Sequence, residues 1–173
     1  IYTHLVELVP NDVFVQKKYA VSLIRTGELE KSQDILVSLF KNSKKKDTQI
    51  GLILAGVYSS LGKAEESKIV YKRILKVDPK NEDACVFLGK TYAIEKKFNT
   101  AVSTLKKCEK RVKGKGIFSY YIGKMYVDKG QLNKARKYFK RAAKIEPEFS
   151  QATMALGLVY EEQKKNEKAV KVY

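Results

Sequence analysis

The chain has 173 residues, 44% hydrophobic and 31% charged, with a net charge of +16. Apolar material is ample for a continuous core, but its longest stretches fall short of the about 20 residues that a membrane-spanning helix needs. Of the 35 basic residues only five are arginine (Arg25, Arg73, Arg111, Arg136 and Arg141), and lysine lacks the planar fork that reads phosphates and bases, so a specific nucleic-acid reader is disfavoured while acidic partners are not.

Taken from the start, Ile1 to Val9 leads into Pro10, and the next pattern runs over 13–47 with Tyr19-Ala20, Leu23, Gly27, Leu29, Ser32 and Leu36. The stretch 48–81 carries Leu54-Ala55, Tyr58, Gly62, Ser67, Tyr71, Ile74 and Pro79. The stretch 82–115 repeats it with Leu88-Gly89, Tyr92, Phe98, Ala101, Leu105 and Cys108. The stretch 116–149 repeats it again with Ile122-Gly123, Tyr126, Gly130, Leu132, Ala135, Phe139, Ala142 and Pro147. A last copy, 150–173, carries Leu156-Gly157, Tyr160 and Ala169 and stops at Tyr173 inside a helical pattern, as a fragment would. Tyr58, Tyr92, Tyr126 and Tyr160 are spaced 34 residues apart, each three residues after a small residue.

A fixed period of this length means one supersecondary unit stacked many times, each copy burying its apolar face on the next. Small residues such as Gly89 and Ala101, or Gly123 and Ala135, let two antiparallel helices approach. Large ones, Leu105 or Phe139, fill the space to the next pair. Short turns at Leu61-Gly62-Lys63, Lys96-Lys97 and Lys129-Gly130-Gln131 hold the helices antiparallel. The three prolines, Pro10, Pro79 and Pro147, all occupy the slot that ends a copy. Gly27 to Gly62 spans 35 residues, and the extra residue is expected in the lysine-rich loop around Asn42 to Lys46.

Little in the sequence offers chemistry. Ala84 to Thr91 imitates a phosphate-binding loop, but Ala84 stands where the first glycine should be and the middle is apolar helix. Glu28, Glu30, Glu65 and Glu66 are placed at the starts of second helices, where acids complement the dipole; Glu161 and Glu162 read as a solvated pair. Cys85, Cys108 and His4 cannot form a zinc site of usual spacing, and both cysteines are expected as buried, reduced thiols. No metal, cofactor or catalytic constellation is expected, so the chain reads as a non-enzyme. Low cysteine usage is compatible with the cytoplasm and equally with a bacterial periplasm, so it fixes no compartment, although the cytoplasm is the favoured expectation.

The pattern Leu-Gly-x-x-Tyr, then Ala, then an aromatic residue, then Pro resembles the tetratricopeptide repeat across essentially the whole chain. The resemblance implies an all-α, right-handed superhelical α-solenoid of antiparallel helix pairs, with 1–12 as the tail of an earlier copy. It also implies that first helices line a concave groove and second helices an outer wall. The outer wall would then carry the lysines crowding 106–113 and 134–144. The groove slots of the family fall on Lys17, Leu52, Val86 and Tyr120; on Val21, Gly56, Lys90 and Lys124; and on Val127. This lining, mostly apolar with lysines at its centre, suits an extended or helical peptide with apolar anchors and one or two acids. The carboxylate clamp known in the family is not expected, because Val21 stands where it needs Asn and Gly56 and Ser59 supply no substitute. The expected function is a scaffold that binds a protein or peptide in this groove. Two alternatives are self-association through an uncapped end (Tyr160, Ala169, Val170, Tyr173) and binding of an anionic surface, nucleic acid or membrane, by the outer lysines.

Overall fold

The computed structural model describes residues 2–43 and 47–173, so the loop expected to hold the extra residue falls largely outside the described residues. The described residues form helices α1 (Tyr2–Leu8), α2 (Val13–Thr26), α3 (Leu29–Asn42), α4 (Thr48–Ser60), α5 (Ala64–Val77), α6 (Glu82–Ile94), α7 (Phe98–Arg111), α8 (Ile117–Asp128), α9 (Leu132–Ile145), α10 (Ser150–Glu162) and α11 (Asn166–Val170), with no strand among them. The fold is an α-solenoid of antiparallel helix pairs. No helix among the described residues is long and apolar enough to cross a membrane.

The chain forms two compact units, Ile1–Ala84 and Cys85–Tyr173. In the first, α1 packs on α2, α2 on α3, α3 on α4 and α4 on α5; in the second, α7 packs on α8, α8 on α9, α9 on α10 and α10 on α11. Consecutive packing of this kind buries these helices against their sequence neighbours within each unit, as a repeat architecture requires.

Local sequence explains several of the boundaries. Asp12 accepts from Val15 N–H at 2.9 Å, Asp47 from Gln49 N–H at 2.8 Å, and Asn81 from Ala84 N–H at 3.0 Å. These caps open α2, α4 and α6 by satisfying orphan donors of the first turn. The turns between paired helices each need one left-handed residue: Gly27, Gly62, Lys96, Gly130 and Lys164 all have positive φ. Glycine meets that demand without strain; the two lysines meet it against their own Cβ.

Within a pair, the small residue of the first helix faces a large one 16 residues later. A Cβ on Gly123 would stand 2.6 Å from the Phe139 ring, and one on Gly89 would stand 2.9 Å from Leu105. Tyr173 covers Gly157 in the same way. Buried Ser32 and Ser67 donate to the carbonyls of Ala20 and Ala55, both at 2.9 Å, so their hydroxyls enter the core satisfied.

Cys85 and Cys108 are buried but not reduced thiols: they form a disulfide that ties α6 to α7, with Cα atoms 6.1 Å apart. The helix pair sets them opposite one another at a separation a disulfide spans without backbone movement. Residues 84–91 lie inside α6 and its first turn, so this stretch is helical and not a phosphate-binding loop.

Candidate functional site

The unit formed by residues 85–173 carries two adjacent hollows on the face made by its first helices, α6, α8 and α10. The larger, about 650 Å³, lies between α8 and α10. Its floor is Leu132, Phe139 and Val159, drawn from the buried cluster in which Phe139 packs against Leu156 and Ala135. Tyr120 forms one wall. Its ring is braced by Phe149 at 5.2 Å, Tyr121 at 5.3 Å and Phe139 at 5.8 Å between centroids, so this wall is preorganised. Leu158 stands exposed at the edge.

The smaller hollow, about 350 Å³, lies between α6 and α8, with Phe98, Met125 and Tyr121 in its lining and Ile94, 79% exposed, on its rim. Lysines border it. Lys90 Nζ lies 5.3 Å from the Phe87 ring and 5.7 Å from Tyr121; Lys124 Nζ lies 5.9 Å from both Tyr120 and Tyr121. Each aromatic face holds an ammonium over the groove and leaves its donors available, at about 0.5–1 kcal/mol for an exposed pair. Lys124 and Asp128 line both hollows, forming the α8 ridge between them.

The structure therefore brings Lys90, Tyr120, Lys124 and Val127 together. Val86 is only 7% exposed and stands behind the surface, while its neighbour Phe87 is the residue presented to solvent. Lys17, Val21, Leu52 and Gly56 belong to the other unit, where all four are half-buried and Lys17 donates to Gln49 Oε1 at 2.8 Å. Of the terminal residues, Ala169 is buried at 2% inside the α10–α11 pair, and Tyr160 is half-buried. Tyr173 lays its ring over Gly157 and donates to Glu161 at 3.0 Å, and Val170 is 74% exposed. The lining that family slots did not supply, Ile94, Lys96, Asp128 and Glu162, comes from the ends of first helices and the turns after them.

Comparison with known proteins agrees with this architecture. A tetratricopeptide repeat model matches residues 52–81, and a TPR repeat model matches residues 123–164. The BBSome complex member BBS4 of Mus musculus is 31% identical over 100 residues, covering 58% of this chain and 19% of that protein; its Bos taurus counterpart is 30% identical over the same length. The chain thus matches about a fifth of the length of these curated relatives. Among solved structures, MamA 41-end from Desulfovibrio magneticus RS-1 superposes with a TM-score of 0.68 at 18% identity, over 94% of this chain and 91% of that one. A second MamA crystal structure gives 0.68 at 20% identity over 88% and 89%. At such identity these neighbours speak for the fold alone. With its period, its helix pairing and both repeat models in agreement, the chain carries tetratricopeptide repeats at residues 52–81 and 123–164 and has the α-solenoid fold of such repeats.

Proposed function

We propose that the first-helix face of residues 85–173 binds a peptide or protein segment through apolar anchors and at least one acid. The observation that carries this reading is the pair of hollows flanking Lys124: apolar floors, aromatic walls and ammonium groups held over rings. A few hundred cubic ångströms of mostly apolar space with a few placed polar groups is what a side-chain-sized anchor needs. Its mechanism is shape. A braced surface presents fixed side chains, so a partner loses its own freedom but the scaffold loses little.

The relatives named as members of the BBSome complex agree with a role inside an assembly, and we extend that role to this chain only as part of the proposal. The test is affinity capture with the full chain and with Lys90→Glu/Lys124→Glu. Partners should be retained by the first and lost by the second. Retention of the same partners by both would place the binding site elsewhere.

A further inference from the structure

We infer that this groove reads its partner in a fixed charge register: an acidic side chain between α6 and α8, an apolar anchor between α8 and α10, and a basic side chain beyond it. The inference rests on the groove reading above and adds the chemistry and spacing of the segment. The two hollows share Lys124 and Asp128, whose charges offset one another on the ridge. What they do not share decides the polarity. The α6–α8 hollow adds Lys90 and Lys96 and no acid; the α8–α10 hollow adds Glu162 and no cation. One end of the groove is cationic, and the other is apolar with a carboxylate at its rim.

The spacing follows from helix geometry. Neighbouring first helices in a helical layer stand about 10 Å apart, so the centres of adjacent hollows do too. An extended chain advances about 3.3 Å per residue, which sets the acid about three residues from the anchor. Tyr120, fixed by three rings, marks the anchor end, and Lys90, held over Phe87 and Tyr121, marks the acid end. Opposite charges placed so far apart act on orientation and choice of partner more than on affinity.

The test is selection of displayed random peptides of about 12 residues, or about 40 Å of extended chain, on the full chain. Selected sequences are then synthesised and measured by fluorescence anisotropy. The expected peptides carry Asp or Glu three residues from a Leu, Ile, Met or Phe, with Lys or Arg on the far side of that anchor. Changing the peptide's acid to lysine should weaken binding about tenfold, the scale of two exposed ion pairs. The Lys90→Glu/Lys96→Glu variant should reverse that preference, and Glu162→Lys should abolish the preference for the basic residue. Because the peptide changes leave the protein untouched, the result does not depend on a variant folding. Recovery of no peptide, or of peptides indifferent to Leu158→Glu, would overturn the groove reading itself. Apolar peptides without charge preference would overturn the register and leave the groove standing. A spacing near seven, the advance of a helical ligand, would overturn the extended register.

Discussion

Single residues carry the fold's most exposed compromises. The turn between paired helices demands a left-handed residue at 27, 62, 96, 130 and 164, and lysine occupies two of these sites at φ of 58° and 57°. An L-residue in that region costs roughly 1–2 kcal/mol, of which glycine returns part after its own entropic loss. Lys96→Gly and Lys164→Gly should each raise stability by about 0.5–1 kcal/mol, read from urea unfolding; a loss at either site would mean that the lysine side chain does more than occupy the turn. The opposite sign is expected at Gly123. Its missing Cβ is where the Phe139 ring sits, 2.6 Å from the position that atom would take. Gly123→Ala should therefore destabilise by about 1–3 kcal/mol, the cost of overpacking a full core. Gly27, Gly62, Gly123 and Gly130 were legible in the sequence, because glycine marks those slots of the repeat, and Lys96 fell in a turn the repeat spacing places; Lys164 carried no such signal. The rim of the hollows was not legible. Ile94, Lys96 and Glu162 sit at helix ends and turns, where the repeat pattern leaves residue choice free and only the fold brings them to a hollow.

At the scale of the helix pair, the disulfide shows what spacing arithmetic can reveal and what residue counting hides. Cys85 and Cys108 are equidistant from the Lys96-Lys97 turn, so an antiparallel hairpin folded there must set them face to face. The expectation of two reduced thiols misses that symmetry. The bridge closes a loop with a sequence separation of 23 and so restricts the unfolded chain. By loop closure, Cys85→Ser/Cys108→Ser should lower stability by about 3 kcal/mol relative to the oxidised protein. Unfolding with and without reductant checks it: the oxidised wild type should lose a comparable amount on reduction, and the variant should be indifferent. Equal midpoints in both conditions would mean that the bridge does not form in solution. Pairs are also tied to their neighbours through their turns. Lys63 donates to Gln33 at 2.6 Å, and Gln163 donates to Asn133 at 3.1 Å, each across 30 residues. Such polar links between turns set register more than they add stability.

At the scale of the whole molecule, charge decides more than any pair. The chain carries 35 basic and 19 acidic residues. The second helix α9 alone presents Lys134, Lys137, Lys140, Arg141 and Lys144 at exposed positions, with no acid of its own. Local ion pairs offset little of this. Lys31–Glu28 is a real contact at 2.7 Å, but an exposed pair of this kind contributes about 0–1 kcal/mol. An excess of +16 repels itself most in the compact state, where like charges are closest. Salt acts on both contributions with opposite signs: it weakens the few pairs and screens the many repulsions. Raising sodium chloride from about 0.01 M to about 0.15 M shortens the screening length from about 30 Å to about 8 Å, less than the reach of the summed repulsion. Repulsion should win, and the melting midpoint should rise by a few degrees, about 2–4 °C for each kcal/mol gained at this size. Lys137→Glu removes two units of net charge and stands four residues before Arg141, where it forms a favourable pair along the helix. That variant should be more stable at low salt and gain less from added salt. A wild-type midpoint that falls as salt is added would show that the ion pairs, and not the uncompensated lysines, set the electrostatics of this fold.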